Sequence, residues 1–553
     1  MRGTRGAAAI VALGLVAATA ATAAGAARVW HPALTITPRG ADPWGPSAAA
    51  GTGGEALAAF TNNIGGRSRV EARTRDDARS AWVPVVLSGT FPRAPSPPAA
   101  AIDTAGRAVV VWHVRGGTVR AAVRDRPGGG WRVVPVADGR PTDQSLDFRG
   151  AVAAMDGRDS SATVIWAERA GGAWTVRSAR RPGPGAAWTE TPGLALDAGA
   201  SEPSINVTPD GTAVAAWSIV EGDAPFATGA VKASVRRADG VWTGVQTLAA
   251  AGARAPSAAA GYDGRAAVAW EDRTVPGTTT VTVAEAALGS VWGPAAPVAA
   301  GEAPRIAENA NGDLALTWAS PGTPQATPIL VSLRPAAQPW GAPAVLTDGE
   351  GLTWVEASLA RVAVGGTGRA FVAWLDAEGP GSATAYLAAA RPGETWARGS
   401  VPVGGDEYAI SLSASSGGNG LAVLPAESGD GRAVKASDYD GYLRPVVTAG
   451  LAGKRRADGT VGWTAVIRNR GRVTAQGVTL RLAVCCGARL VSASPPGVRA
   501  GLQVDWKVAN LRPGRTATVR LTVRHPAGST GRLAGSVRAT AAPPVFVAAT
   551  ARR

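Results

Sequence analysis

Short apolar runs broken by Gly, Pro, Asp and Asn fill most of the chain. The runs either alternate apolar and polar residues or are apolar throughout, as half-buried and fully buried strands are, and none repeats at helical spacing. The stretch from Pro256 to Val298 shows the grammar best. An apolar run leads through an Asp-Gly turn at 263–264 to a second run ending in Trp270; a loop, a third alternating run and Trp292 followed by Gly-Pro complete it. Aligned on the second run, the pattern recurs with its aromatic at Phe60, Trp112, Trp166, Trp217, Trp270, Trp318 and Trp374, spaced 52, 54, 51, 53, 48 and 56 residues apart. A degraded eighth copy puts Pro425 fifty-one residues after Trp374. A second tryptophan follows in seven copies (Trp82, Trp131, Trp188, Trp242, Trp292, Trp340 and Trp396), 22 residues after the first aromatic in five of them.

Four antiparallel strands in a unit of roughly 50 residues make a propeller blade. The pattern therefore predicts an all-β chain whose residues 28–448 form a β-propeller of eight blades, seven being the alternative. Ala and Val on both faces of the second strand let neighbouring sheets stack, and the tryptophans read as packing residues burying about 200 Å² each. Residues 28–38, containing Trp30, look like an orphan fourth strand. Trp30 precedes Pro46 by sixteen residues, much as Trp242 precedes Pro256 by fourteen and Trp292 precedes Pro304 by twelve. Placed on the last blade, that strand would tie the ends of the ring together and remove an open edge; the stretch at 441–450 is the other segment able to fill the place. On this blade grammar the region resembles secreted tryptophan-repeat propellers, loosely akin to sialidase and kelch propellers. Sialidases carry a Ser-x-Asp-x-Gly-x-Thr-Trp box. Here Asp263-Gly264 precedes Trp270 by a different spacing and lies in a different turn.

From about Leu451 the grammar changes. Asn469, Gly471, Ala475, Val478, Trp506, Asn510-Leu511 and Pro513-Gly514 are similar to the immunoglobulin-like conserved-repeat domains of bacterial surface proteins, which implies one β-sandwich over 449–553. That family usually has an Asp-x-Leu-Pro-x-Gly turn where this chain has Cys485-Cys486-Gly487. Adjacent Cα atoms stand about 3.8 Å apart, short of the usual disulfide range. A strained vicinal disulfide, a cross-link between chains and free thiols all stay open.

The N-terminus joins Arg2 and Arg5 to an apolar run of eighteen residues and a small-x-small site at Ala24-Gly25-Ala26. That is the form of a secretory signal over residues 1–27. No later stretch approaches the ~20 apolar residues of a spanning helix, so the mature protein is expected to be secreted and extracellular or surface-associated.

Candidate chemistry is sparse. The three histidines, His31, His113 and His525, have no metal-ligand spacing, and no phosphate loop, nucleophile elbow or nucleic-acid motif occurs. The recurrent polar feature is a carboxylate two residues past the second-strand tryptophan: Glu168, Asp272 and Asp376, with Glu271 beside Asp272. These are the candidate ligand-binding residues, reading either as a rim for a cation such as calcium or a polar ligand, or as solvated turns; no cofactor is expected. Charge is uneven. Residues 451–553 hold 18 Lys and Arg against Asp458 and Asp505, a net of +16 that leaves −1 for residues 1–450. So basic a segment should attract polyanions, and for an exported chain an anionic envelope polymer comes first. The expectation is a non-enzymatic binding or scaffold protein whose propeller takes a glycan or protein. The alternative is a glycoside-active, sialidase-like hydrolase using carboxylates on one propeller face.

Overall fold

The computed structural model describes residues 30–551 except 39–40, 77–79, 115–117, 138–146, 157–159, 171–172, 202, 221–226, 288–290, 321–326, 348–359, 380–381, 404–408, 429–430, 440–446, 470–473, 485–487, 501–502, 509, 513, 527–530 and 540–541. The expected signal segment and the Cys485-Cys486 pair lie outside the described residues. Among those described the chain is all-β, with a single 3-10 turn at Tyr262–Gly264, and no helix is long and apolar enough to cross a membrane.

Eight four-stranded antiparallel units succeed one another up to Tyr439, and each inner strand touches the inner strand of the next. The eighth inner strand, Ser411–Ala414, touches the first, Asp42–Ala50, so the ring is closed: this is an eight-bladed β-propeller. Blades four and five share one continuous strand, Gln246–Ala260. It is the outer strand of blade four as far as Ala253 and the inner strand of blade five from there on. The last blade is completed from the N-terminus. Leu34–Thr35 pairs with Gly431–Tyr439, and Trp30 bridges Tyr439 as Trp242 bridges Arg236 and Trp292 bridges Ala286. Trp30 is thus the second tryptophan of blade eight. Of the alternative segment at 441–450, the described residues 447–450 begin Val447–Arg455, the first strand of the terminal unit.

Packing explains the repeat. Phe60 and the six second-strand tryptophans are buried, none more than 3 % exposed. One face of a second strand meets the preceding blade and the other meets the next: Val110 and Trp112 pack on Leu57 and Val70, whereas Val109 and Val111 pack on Val164 and Trp166. In blade eight the register puts Leu424, not Pro425, at the tryptophan position, because Ser411 pairs with Val423 as Arg361 pairs with Ala373. Leu424 is smaller, and Trp30 fills the same core from the outer strand, edge-on to Phe371 (5.9 Å) and Tyr439 (5.5 Å).

Two polar devices join blade to blade. Inner-strand serines accept backbone N–H groups from the next blade: Ala48 N to Ser411 Oγ (2.8 Å), Ala100 N to Ser47 Oγ (3.0 Å), Ala258 N to Ser204 Oγ (3.0 Å) and Ile306 N to Ser257 Oγ (3.1 Å). At the far end of the third strand, arginines reach back to a carboxylate of the preceding blade. Arg124 meets Asp76 (2.8 Å), Arg181 meets Asp125 (2.8 Å) and Arg334 meets Glu285 (2.5 Å). Burial alone would raise the Asp125 carboxyl, but hydrogen bonds and charge from Arg181 bring it below the usual range.

The terminal unit has two antiparallel sheets, of four and five strands. They share one core containing Trp463, Leu480, Trp506, Leu521 and Val537.

Candidate functional site

The carboxylates singled out by the repeat lie in blades three, five and seven, with a blade between each, so they do not form one cluster. Their surroundings differ. Glu168 accepts the Trp166 indole N–H (3.2 Å) and pairs with Arg177 (3.1 Å), which stands opposite Trp166 on the third strand. Blade four builds the same arrangement from another position. Asp197 accepts the Trp217 indole (3.2 Å) and pairs with Lys232 (3.0 Å), again opposite the tryptophan. Glu271 is buried and draws in Arg254 (2.5 Å), Arg273 (3.2 Å) and the Ala303 N–H (2.8 Å), so it holds the strand crossing into blade six. Asp272 caps its own exposed turn through Thr274 N (3.0 Å) and Oγ1 (2.7 Å).

Asp376 has a different setting. It lines a cleft of about 590 Å³ between blades six and seven, together with Trp374, Tyr386, Arg398, Ser400 and Thr347. Trp374, Tyr386 and Ser400 are paired across three neighbouring strands, so their side chains, with Asp376 and Arg398 two residues along, share one face. The Trp374 and Tyr386 rings stack at 5.6 Å and 16°, with Tyr386 the more exposed of the two. Arg398 reaches across to the Val345 carbonyl (3.4 Å) on the outer strand of blade six. The cleft therefore offers an aromatic surface, a carboxylate acceptor, a guanidinium donor and a hydroxyl. That is the mixture that orients a ligand apolar on its faces and hydroxylated at its edges.

A second cavity, of about 390 Å³, lies on the ring axis and is lined by Ala, Val, Ser and Leu412 of the inner strands, with Asn206 and Glu308. Burial pushes the Glu308 carboxyl up to about 7. The positions matching Glu308 in two other blades are Val207 and Val364, so the inner-strand alignment alone could have flagged it. His113, held by burial down at about 4 despite the nearby Glu168 charge, is neutral at pH 7. No three His, Cys, Asp or Glu side chains come together as a metal site among the described residues.

No family model matches the chain, and no curated protein matches it. Solved structures similar to it include a lectin from Burkholderia pseudomallei (16% identity, 65% of this chain and 98% of that one, TM-score 0.40). Others are the fucose-specific lectin from Aleuria aurantia (13% identity, 57% and 98%, TM-score 0.29) and a Hadza microbial sialidase (12% identity, 50% and 63%, TM-score 0.31). At these identities the likeness is one of fold. The chain is a β-propeller joined to a second β unit.

Proposed function

We propose that the protein is an exported, non-enzymatic binding protein. Its propeller takes a glycan in the cleft between blades six and seven, and its basic terminal unit, read as an immunoglobulin-like sandwich, associates with the anionic cell envelope. The observation that carries the first half is the stacked Trp374–Tyr386 pair beside Asp376 and Arg398 in one cleft. Carbohydrate faces pack on aromatic rings while their hydroxyls bridge carboxylate and guanidinium groups. The hydrolase alternative needs two carboxylates about 5–10 Å apart across one sugar; Glu168, Asp272 and Asp376 are divided among alternate blades, and nothing in the cleft favours it. A glycan array probed with the protein tests the reading. Tyr386→Ala and Asp376→Asn are each expected to weaken the best glycan at least tenfold without changing the melting temperature of the terminal unit. An array with no bound glycan, or variants that bind as tightly as the parent, would remove the proposal.

A further inference from the structure

The terminal unit presents a second groove, of about 610 Å³, on the open face of its four-stranded sheet. Lys454, Arg456 and Arg520 line it, with hydroxyls from Thr464, Ser492 and Ser494. Register explains the grouping. Thr464 pairs with Arg520, which pairs with Ser494, while Gly462 pairs with Thr522, which pairs with Ser492. These residues alternate with the core residues Trp463 and Leu521, so they stand together on the outward face.

Three features mark this face as built for anions. The Arg456 guanidinium lies over Gly462: a Cβ there would sit 3.1 Å from its Nε, so the missing side chain makes room for the cation. One row further along, Arg524 stands directly opposite Arg489, a like-charge pair that costs stability unless an anion lies between. Counter-charge within the unit is scarce. Asp505 is held by Arg481 on the other sheet (2.8 and 2.7 Å), which leaves Asp458, bonded to Thr460 in its turn (3.0 and 2.7 Å), as one carboxylate whose charge is shared by Arg456 and Arg524.

We propose that this groove binds a phosphodiester-linked polymer, an inference that rests on the reading of the terminal unit as polyanion-binding and gives that reading a site. Strand geometry sets Arg520 and Arg524 about 13 Å apart along one strand and Lys454 about 10 Å to the side. An extended chain with a charge every several ångströms can meet such a row. Guanidinium forks and hydroxyl donors match the oxygens of phosphate. Single-stranded nucleic acid would need an exposed aromatic platform as well, and the tryptophan beneath the groove, Trp463, is 1 % exposed.

The test uses the full mature chain on immobilised poly(glycerol phosphate) at 50 mM NaCl, with a 30-base-pair DNA of random sequence as comparator. Lys454→Glu/Arg520→Glu is expected to weaken binding at least tenfold and to flatten the salt dependence by about 1–2 in log–log slope. Lys507→Glu/Arg538→Glu makes the same change in net charge at exposed positions of the other sheet and is expected to cost less than threefold. Far-UV circular dichroism checks folding, and Lys454→Gln/Arg520→Gln repeats the measurement with a milder change. Equal losses from the two charge-reversed pairs would overturn the groove while leaving polyanion binding intact. Tighter binding of the DNA through the same residues would make the partner a nucleic acid instead. No binding of either polymer by the parent protein would overturn the groove and the envelope reading together.

Discussion

Closure of the ring by the N-terminal strand can be tested at Trp30. The indole is 6 % exposed and meets Phe371 and Tyr439 edge-on, in the one blade whose second strand offers Leu424 instead of tryptophan. Removing a buried aromatic of this size takes about 200 Å² of apolar contact out of the core, worth about 5 kcal/mol at ~25 cal/mol per Å². Comparable substitutions to alanine cost about 3–5 kcal/mol. Hydrogen bonds also hold the strand, His31 N to Asp438 O and Ile36 N to Val434 O (both 2.9 Å), Arg73 Nε to Ile36 O (2.8 Å), Val434 N to Thr37 Oγ1 (2.9 Å) and Ser437 Oγ to His31 O (2.7 Å), so losing the ring should loosen the strand's packing rather than release it. Trp30→Ala is therefore expected to lower propeller stability by about 3–5 kcal/mol, roughly 5 °C in melting temperature for a unit of this size. Differential scanning calorimetry should show the propeller transition moving while that of the terminal unit stays in place. A companion variant sharpens the assay. A Cβ on Gly399 would lie 2.7 Å from the Trp30 Cβ, which alanine at position 30 would keep, so Gly399→Ala should destabilise the parent protein and be nearly neutral only beside Trp30→Gly. A shift under 1 °C for Trp30→Ala, or simple additivity in the double variant, would refute this account of closure.

Three further outcomes are expected. Glu271→Ala removes the shared acceptor of Arg254, Arg273 and the Ala303 N–H and should cost about 3–5 kcal/mol in urea unfolding, whereas Asp272→Ala, in its exposed turn, should stay within about 1 kcal/mol. Glu308, raised to about 7, keeps a proton in the folded state that the unfolded chain releases near 4.5. Its contribution is therefore full below about 4.5 and is lost as pH rises through 7, and Glu308→Gln should flatten the fall in urea midpoint between pH 5 and pH 8. Asp125, held below the usual carboxylate range by Arg181 against the effect of burial, stabilises above its unfolded pKa and loses that contribution as pH falls through its depressed folded value. Asp125→Asn should accordingly cost about 1–2 kcal/mol at pH 7, discounted for the partly exposed carboxylate, and progressively less towards pH 3.

How far the chain could be read followed from which signals are local. One large aromatic per blade at near-constant spacing sets blade number and register, and the Trp30 match marked residues 28–38 as one of two segments able to close the ring, the other being 441–450. The reading slipped by one residue in the copy that had lost its tryptophan, where only strand pairing identifies Leu424. Three of the four serine hooks stand in the sequence as Pro-Ser, at 46–47, 203–204 and 256–257, and an arginine ends the third strand at Arg75, Arg124, Arg181, Arg236 and Arg334, although Arg236 meets the Gly211 carbonyl and Thr191 rather than a carboxylate. Both were hidden by composition, since Ser and Arg are common throughout the chain. The cleft was out of reach for a different reason. Tyr386 and Arg398 meet Trp374 only through cross-strand register, and no spacing in the sequence announces which third-strand residue faces which tryptophan.

That register gives blade seven its distinction. Opposite the tryptophan the third strand carries Arg120 in blade two, Arg177 in blade three and Lys232 in blade four, and in the last two the cation pairs with a carboxylate that also accepts the indole N–H. There carboxylate, cation and ring satisfy one another inside the blade. Blade seven keeps the carboxylate, Asp376, two residues past the tryptophan but replaces the opposing cation with Tyr386. The ring sets blade seven apart from blades five and six, which carry Thr282 and Leu330 at that place, and adds a stacking surface beside Asp376. If this logic is right, Tyr386→Arg should rebuild the blade-three arrangement, abolishing glycan binding while preserving or raising the melting temperature. A variant that kept its ligand would show that the exchange is neutral drift within the repeat.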